Sequence, residues 1–206
     1  ISSRPNFMPI LDLLEEKGDE IFSAADSVVL QIDLAKEIVK KVIEFAQKYK
    51  KKLFALVSNM SIAAERRDLI KNFDCFICNE LEAGILFLDD YSEKTPEELR
   101  DIIGANVNKA NIPAMIVTMG ERGAVYATMD GEKGICPARN VQVKDTTGAG
   151  DSFCAGAVIG LTYGKTLGEA CEIGAHLAAS VITTGENVCP RFQPAELGLD
   201  ITVEDQ

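Results

Sequence analysis

Residues Asp145, Thr146, Thr147, Gly148, Ala149, Gly150 and Asp151 stand in a row ahead of a small-residue apolar run, 152–161. Two glycines around an alanine let a backbone turn tightly and come close to a ligand. A helix starting there aims its free N–H groups and the positive end of its dipole at the turn, which favours a phosphate. Asp151 then sets a carboxylate beside an anion site, where like charges repel. Phosphoryl transfer is a chemistry that needs both. The carboxylate takes a proton from the attacking hydroxyl. The N–H groups of Ala149, Gly150 and Asp151 hold the developing charge, and Gly148 permits the turn.

An Asp or Thr before a helix is also an ordinary N-cap, and Gly-rich turns are common. Gly-Ala-Gly alone would not separate the two readings; all seven residues, with the apolar helix behind them, do. The stretch has neither the Gly-Lys-Ser/Thr ending of a P-loop nor a Gly-x-Gly-x-x-Gly opening.

The elements that must position this loop alternate along the chain. Helical spacing marks 8–25, 34–49, 62–71, 80–87, 96–109, 151–163 and 167–183; short apolar runs mark strands at 28–32, 53–57, 75–78 and 114–118. Residues 123–129 and 133–137 read as a hairpin across Asp130-Gly131, a favoured two-residue turn. Small residues at Cys154, Ala155, Gly156 and Ala157 should let the helix approach the sheet closely. Alternation of this kind implies an α/β, three-layer α-β-α fold whose mostly parallel sheet is covered on both faces. Ligands in such sheets gather at the carboxyl ends of the strands. Asn79, Thr118 and the Gly148 loop all fall at or just beyond strand ends, which points to one shared site in a single domain, residues 1–206.

The stretch 145–158, DTTGAGDSFCAGAV, resembles the C-terminal signature of the ribokinase-like (PfkB-type) sugar and nucleoside kinases. Asn79-Glu80-Leu81-Glu82-Ala83 resembles that family's Asn-x-x-Glu motif, and Val117–Gly123, VTMGERG, its Thr-x-Gly-x-x-Gly strand-turn. The motifs come in the family's order, and the match runs from about residue 5 to 190. The resemblance implies an ATP-dependent kinase acting on a sugar or nucleoside hydroxyl, with Asp151 as base and substrate contact. It implies that Glu82, with Asn79, holds Mg²⁺, in keeping with a cation that retains much of its water. It favours Glu82 over Glu80, although acids at a helix start are stabilising in any case. Thr118, Gly120 and Gly123 become nucleotide contacts. Asp145 and the Thr147 carbonyl touch a monovalent-cation (K⁺) loop, whose partner, 181–188 with Gly185, edges the adenine pocket. The resemblance also brings His176, the sole histidine, to the border of adenine; a packed core or rim histidine is the plainer reading.

Asp33, in Gln31-Ile32-Asp33, resembles a sugar-contacting strand end. Ser58-Asn59 stands where many relatives have Asp-Pro, which leaves the sugar unnamed. Asn59-Met60-Ser61 and residues 186–191 lean toward pseudouridine kinases, so a nucleoside kinase is the alternative to a sugar kinase. The chain opens on Ile, and the resemblance makes it the C-terminal two-thirds of such a kinase. The first third, with an early Gly-Gly motif and most of a β-sheet lid, would be missing. An inert nucleotide-binding fragment is then a further alternative, and a dinucleotide oxidoreductase ranks last. Relatives that dimerise do so through the lid, which makes a homodimer one option.

A net charge of −11 over 206 residues argues against nucleic-acid and anionic-membrane surfaces. No apolar run reaches the roughly 18 residues that span a bilayer. Six scattered cysteines suit reduced thiols and a cytoplasmic location. Cys75 and Cys78 have metal-like spacing, but on a strand residues three apart face opposite sides.

Overall fold

The computed structural model describes residues 7–57, 63–65, 67–184, 188–189 and 192–199. The helices are α1 (Met8–Ala24), α2 (Lys36–Lys48), α3 (Arg67–Ile70), α4 (Glu80–Phe87), α5 (Pro96–Ala110), α6 (Ala149–Thr162) and α7 (Leu167–Ile182). The strands are β1 (Ser27–Gln31), β2 (Lys52–Leu56), β3 (Cys75–Asn79), β4 (Ala114–Thr118), β5 (Ala124–Thr128) and β6 (Lys133–Cys136). They form one sheet in the order β1-β2-β3-β4-β5-β6. The first four pair in parallel, and β5 pairs antiparallel with both β4 and β6.

The near-continuous apolar strands follow from burial on both faces. Within β3, Phe76 and Cys78 enter one core and Cys75 and Ile77 the other; within β4, Met115 and Val117 oppose Ala114 and Ile116 in the same way. The first core is closed by α1, α2, α4 and α5, through residues such as Leu14, Val39, Leu86 and Ile103. The second is closed by α6 and α7, through Phe153, Ala157, Cys171 and Ala175. These are the three layers expected from the strand–helix alternation. Cys75 and Cys78 do face opposite sides, and both are buried. Burial drives both thiols far up from their ordinary range, so neither is a ready ligand or nucleophile.

One local expectation is corrected and one divides. The β5–β6 connection is residues 129–132, with Thr128 N–H donating to the Glu132 carbonyl at 2.8 Å, longer than a two-residue turn. The small residues of α6 split between two contacts. A Cβ built on Gly156 would lie 2.8 Å from Gly174 Cα, and one on Gly160 2.9 Å from Ala170 Cα, so these glycines serve helix–helix approach. Cys154 and Ala157, with the bulkier Phe153 and Val158, pack into the sheet-side core.

Candidate active site

Strand pairing assembles one side of the site. Asn79 and Thr118 are register partners at the carboxyl ends of β3 and β4. Asn79 caps α4: its side-chain oxygen accepts from Glu82 N–H at 2.9 Å, while the Glu82 carboxylate accepts from Asn79 N–H at 2.8 Å. The same box recurs at Thr95/Glu98 and Thr166/Glu169, so the spacing alone has a sufficient structural cause. Environment separates the three. Glu98 and Glu169 are exposed, and their Thr partners hold their pKa values below the ordinary range. Glu82 is half-buried and shifts the opposite way: burial raises it, against the lowering effect of the Asn79 bond, and the charge of Asp33 adds to the rise.

The other acid of α4 is accounted for differently. Glu80 forms an ion pair with Arg122. Arg122 lies in the 3₁₀ turn Gly120–Arg122, which follows Thr118 and is closed by Met119 N–H to the Gly123 carbonyl at 2.7 Å. Gly123 is required there: its φ is +91°, and a Cβ would fall 2.2 Å from the Cys136 carbonyl oxygen. No atom lies within 4 Å of a Cβ built on Gly120, so that turn faces open space.

The Gly148 turn supplies the opposite side. Gly148 caps α6 with φ +80°, a left-handed conformation that suits glycine. Asp145 folds back, accepting from Thr147 N–H at 2.9 Å and Thr147 Oγ1 at 2.8 Å, and these bonds lower its pKa. The loop is tied to the end of α7 by Lys144 N–H to the Ile182 carbonyl at 2.8 Å. Ala149 N–H donates to the Thr146 carbonyl at 3.1 Å. That amide is engaged, which narrows the three expected anion-hole donors to two. Among the described residues, neither Gly150 N–H nor Asp151 N–H is bonded to another protein group. Gly150 has no atom within 4 Å of a built Cβ, and Asp151 is solvent-exposed in the first helical turn.

Cys154 lies one turn beyond Asp151. Burial pushes its thiol up to about 12, helped by the charges of Asp151 and then Glu82. Sequence reasoning passed over Cys154, since nothing in its spacing points to a shared neighbour. It also passed over the Arg122–Glu80 pair, whose partners lie 42 residues apart.

His176 packs edge-to-face on Phe192 with ring centroids 5.2 Å apart, in a shallow cavity with Arg139, Lys165, Glu169 and Glu172. None of Asn79, Thr118 or 148–151 lines that cavity. Gly185, Ser58, Asn59, Met60, Ser61, Glu186 and Arg191 lie outside the described residues. Among the described residues no group of three or more His, Cys, Asp or Glu side chains is set to enclose a metal, and no helix is long and apolar enough to cross a membrane.

Residues 9–188 match the pfkB family carbohydrate kinase. The chain belongs to that family. Among curated PfkB relatives, it is 31% identical over 188 residues to a guanosine-inosine kinase of Exiguobacterium acetylicum, covering 91% of this chain and 61% of the relative. It is 25% identical over 164 residues to a ribokinase of Schizosaccharomyces pombe, covering 80% and 51%. The chain thus spans about half to three-fifths of these relatives' lengths. Its fold is that of the Arabidopsis thaliana ribokinase solved with ribose and ATP, with a TM-score of 0.75 at 23% identity, over 91% of this chain and 60% of that one. A probable sugar kinase of Rhizobium etli aligns with a TM-score of 0.72 at 25% identity, over 90% and 58%.

Proposed function

We propose that this chain carries the phosphoryl-transfer end of an ATP-dependent kinase that phosphorylates a hydroxyl of a sugar or nucleoside-like acceptor. The observation that carries the reading is a solvent-facing carboxylate, Asp151, beside two unpaired amides at the start of α6. Asp151 accepts the proton of the acceptor hydroxyl as the hydroxyl oxygen attacks the γ-phosphorus and the bond from that phosphorus to the β,γ-bridging oxygen breaks, releasing ADP. Gly150 and Asp151 N–H stabilise the charge on the transferring group's oxygens. The turn of Thr118, Gly120 and Gly123 borders the nucleotide phosphates and ribose.

Glu82 fits Mg²⁺ by its chemistry: a hard carboxylate, half-buried, whose ionised form is short of a counter-charge. Glu82, with Asn79, would hold the ion through its water shell. Bound there, Mg²⁺ would neutralise polyphosphate charge and orient it. Asp145 and the Thr147 carbonyl would hold K⁺ at the base of the anion turn. Asp33, close enough to raise Glu82, would meet the acceptor.

A nucleoside is the favoured acceptor class, because the guanosine-inosine kinase is the more similar of the two kinases compared and matches over more of the chain. Calorimetry with Mg·ATP, followed by ADP release over a panel of purine nucleosides, pyrimidine nucleosides and pentoses, tests the reading. Binding of Mg·ATP with nucleoside-dependent ADP release is expected. Pentose-only turnover would reverse the acceptor preference, and Mg·ATP binding without turnover on any acceptor would leave a nucleotide-binding fragment.

A further inference from the structure

Arg122 makes more cross-connections than any reading of its motif suggests. It sits in the Gly120–Arg122 turn, yet its side chain leaves that turn and crosses to the other strand's helix. Nη2 pairs with Glu80 at the start of α4 and approaches the Ser92 carbonyl at 3.5 Å, while Nη1 donates to the Lys94 carbonyl at 2.6 Å. Arg122 and Glu80 side chains are 32% and 21% exposed; in each of the other ion pairs among the described residues at least one side chain is 53% exposed or more. A planar guanidinium with three acceptors around it fixes geometry in a way that a mobile surface pair does not.

What it fixes are two proposed ligand-binding elements. One is the turn after Thr118; the other is the α4 start, where Asn79 and Glu82 cap each other. Their strands are already in register, but register sets only backbone positions up to Asn79 and Thr118. Beyond those residues the Arg122–Glu80 ion pair is a side-chain tie between the two elements.

We propose that Arg122 is a positioning residue: paired with Glu80, it holds the nucleotide turn at a fixed offset from the Glu82 end of α4, so that triphosphate and cation meet their contacts together. The inference rests on the kinase reading above. Glu80 thereby acquires a role distinct from that of Glu82. One acid is neutralised inside the scaffold; the other is left facing the site.

The test uses the full-length protein and steady-state kinetics in Mg·ATP at saturating acceptor. Arg122→Ala should raise the KM for Mg·ATP roughly tenfold, with a smaller change in kcat, since the tie positions ligand and takes no part in proton transfer. Glu80→Gln should do the same, and the double variant should be no worse than Arg122→Ala, because both remove one connection. Arg122→Lys, keeping charge but losing the fork, should recover only part of the affinity. Lys133→Ala, which breaks the exposed pair with Asp101, serves as the unaffected control. Additive effects of Arg122→Ala and Glu80→Gln would overturn the proposal. So would a lowered melting temperature with an unchanged KM, which marks a purely structural staple. If the wild type neither binds nor turns over Mg·ATP, the kinase reading falls first and takes this one with it. Wild-type turnover with an unaltered Arg122→Ala sinks the tie alone.

Discussion

Asn79 Oδ1 accepts the Glu82 amide at 2.9 Å while the Glu82 carboxylate accepts the Asn79 amide at 2.8 Å, so each residue of the Asn-x-x-Glu motif holds the other in place. The motif has two functions at once. It starts α4, as any capping box starts a helix, and it fixes a half-buried carboxylate beside the carboxyl end of β3. The burial has a measurable signature. Because the folded fold disfavours ionised Glu82, its pKa lies above the ordinary 4.5. The stability it contributes is intact below that value and falls as pH rises through the raised one. Glu82→Gln keeps an oxygen for Asn79 N–H and removes the charge. Urea midpoints at about pH 4 and about pH 7 should show the variant gaining on wild type at the higher pH, with Mg²⁺ narrowing the gap. Equal pH dependence of the two proteins would refute the assignment.

Asp151→Asn separates chemistry from binding. The carboxamide keeps the size and loses the basicity, so turnover should fall by ~10²–10⁴. Mg·ATP affinity by calorimetry should hold. A variant with wild-type turnover removes Asp151 from the base role.

Gly150→Ala sets function against stability. No atom lies within 4 Å of the added methyl, and a first-turn alanine helps a helix by up to about 1 kcal/mol. The melting temperature should therefore stay level or rise. Activity should drop sharply, because the methyl would occupy the open space where the proposed phosphoryl group meets the amides. Full activity in a stable variant would place the anion elsewhere.

Gly156→Ala has the opposite profile. Here the same helix-propensity gain of about 1 kcal/mol is outweighed, since the new Cβ would stand 2.8 Å from backbone in α7 and overpacking of that sort costs about 1–3 kcal/mol. A net loss of roughly 2–8 °C in melting temperature is expected from thermal denaturation. No change would mean that α6 and α7 slide apart freely.

Much of this fold is legible in the sequence because its strands are short, apolar and separated by helical spacing. Cys75–Asn79 and Ala114–Thr118 are found within a residue of where the pattern puts them. The site is legible as far as it depends on strand ends and on glycine at Gly148 and Gly123. What the pattern does not carry is how local hydrogen bonds divide labour. The Thr146 carbonyl captures Ala149 N–H, and no residue type announces that. Gly156 could have faced sheet or helix, because smallness licenses approach without naming the partner. Arg122 and Glu80 meet only after two strands have paired, so neither position looks exceptional in one dimension.

Glu82 stands on α4, which covers one face of the sheet, and Asp151 on α6, which covers the other, and the charges of both reach Cys154. The sheet therefore works as a spacer between two proposed halves of one reaction. Side-chain volume in either buried layer then bears on the spacing across which the proposed transfer would occur.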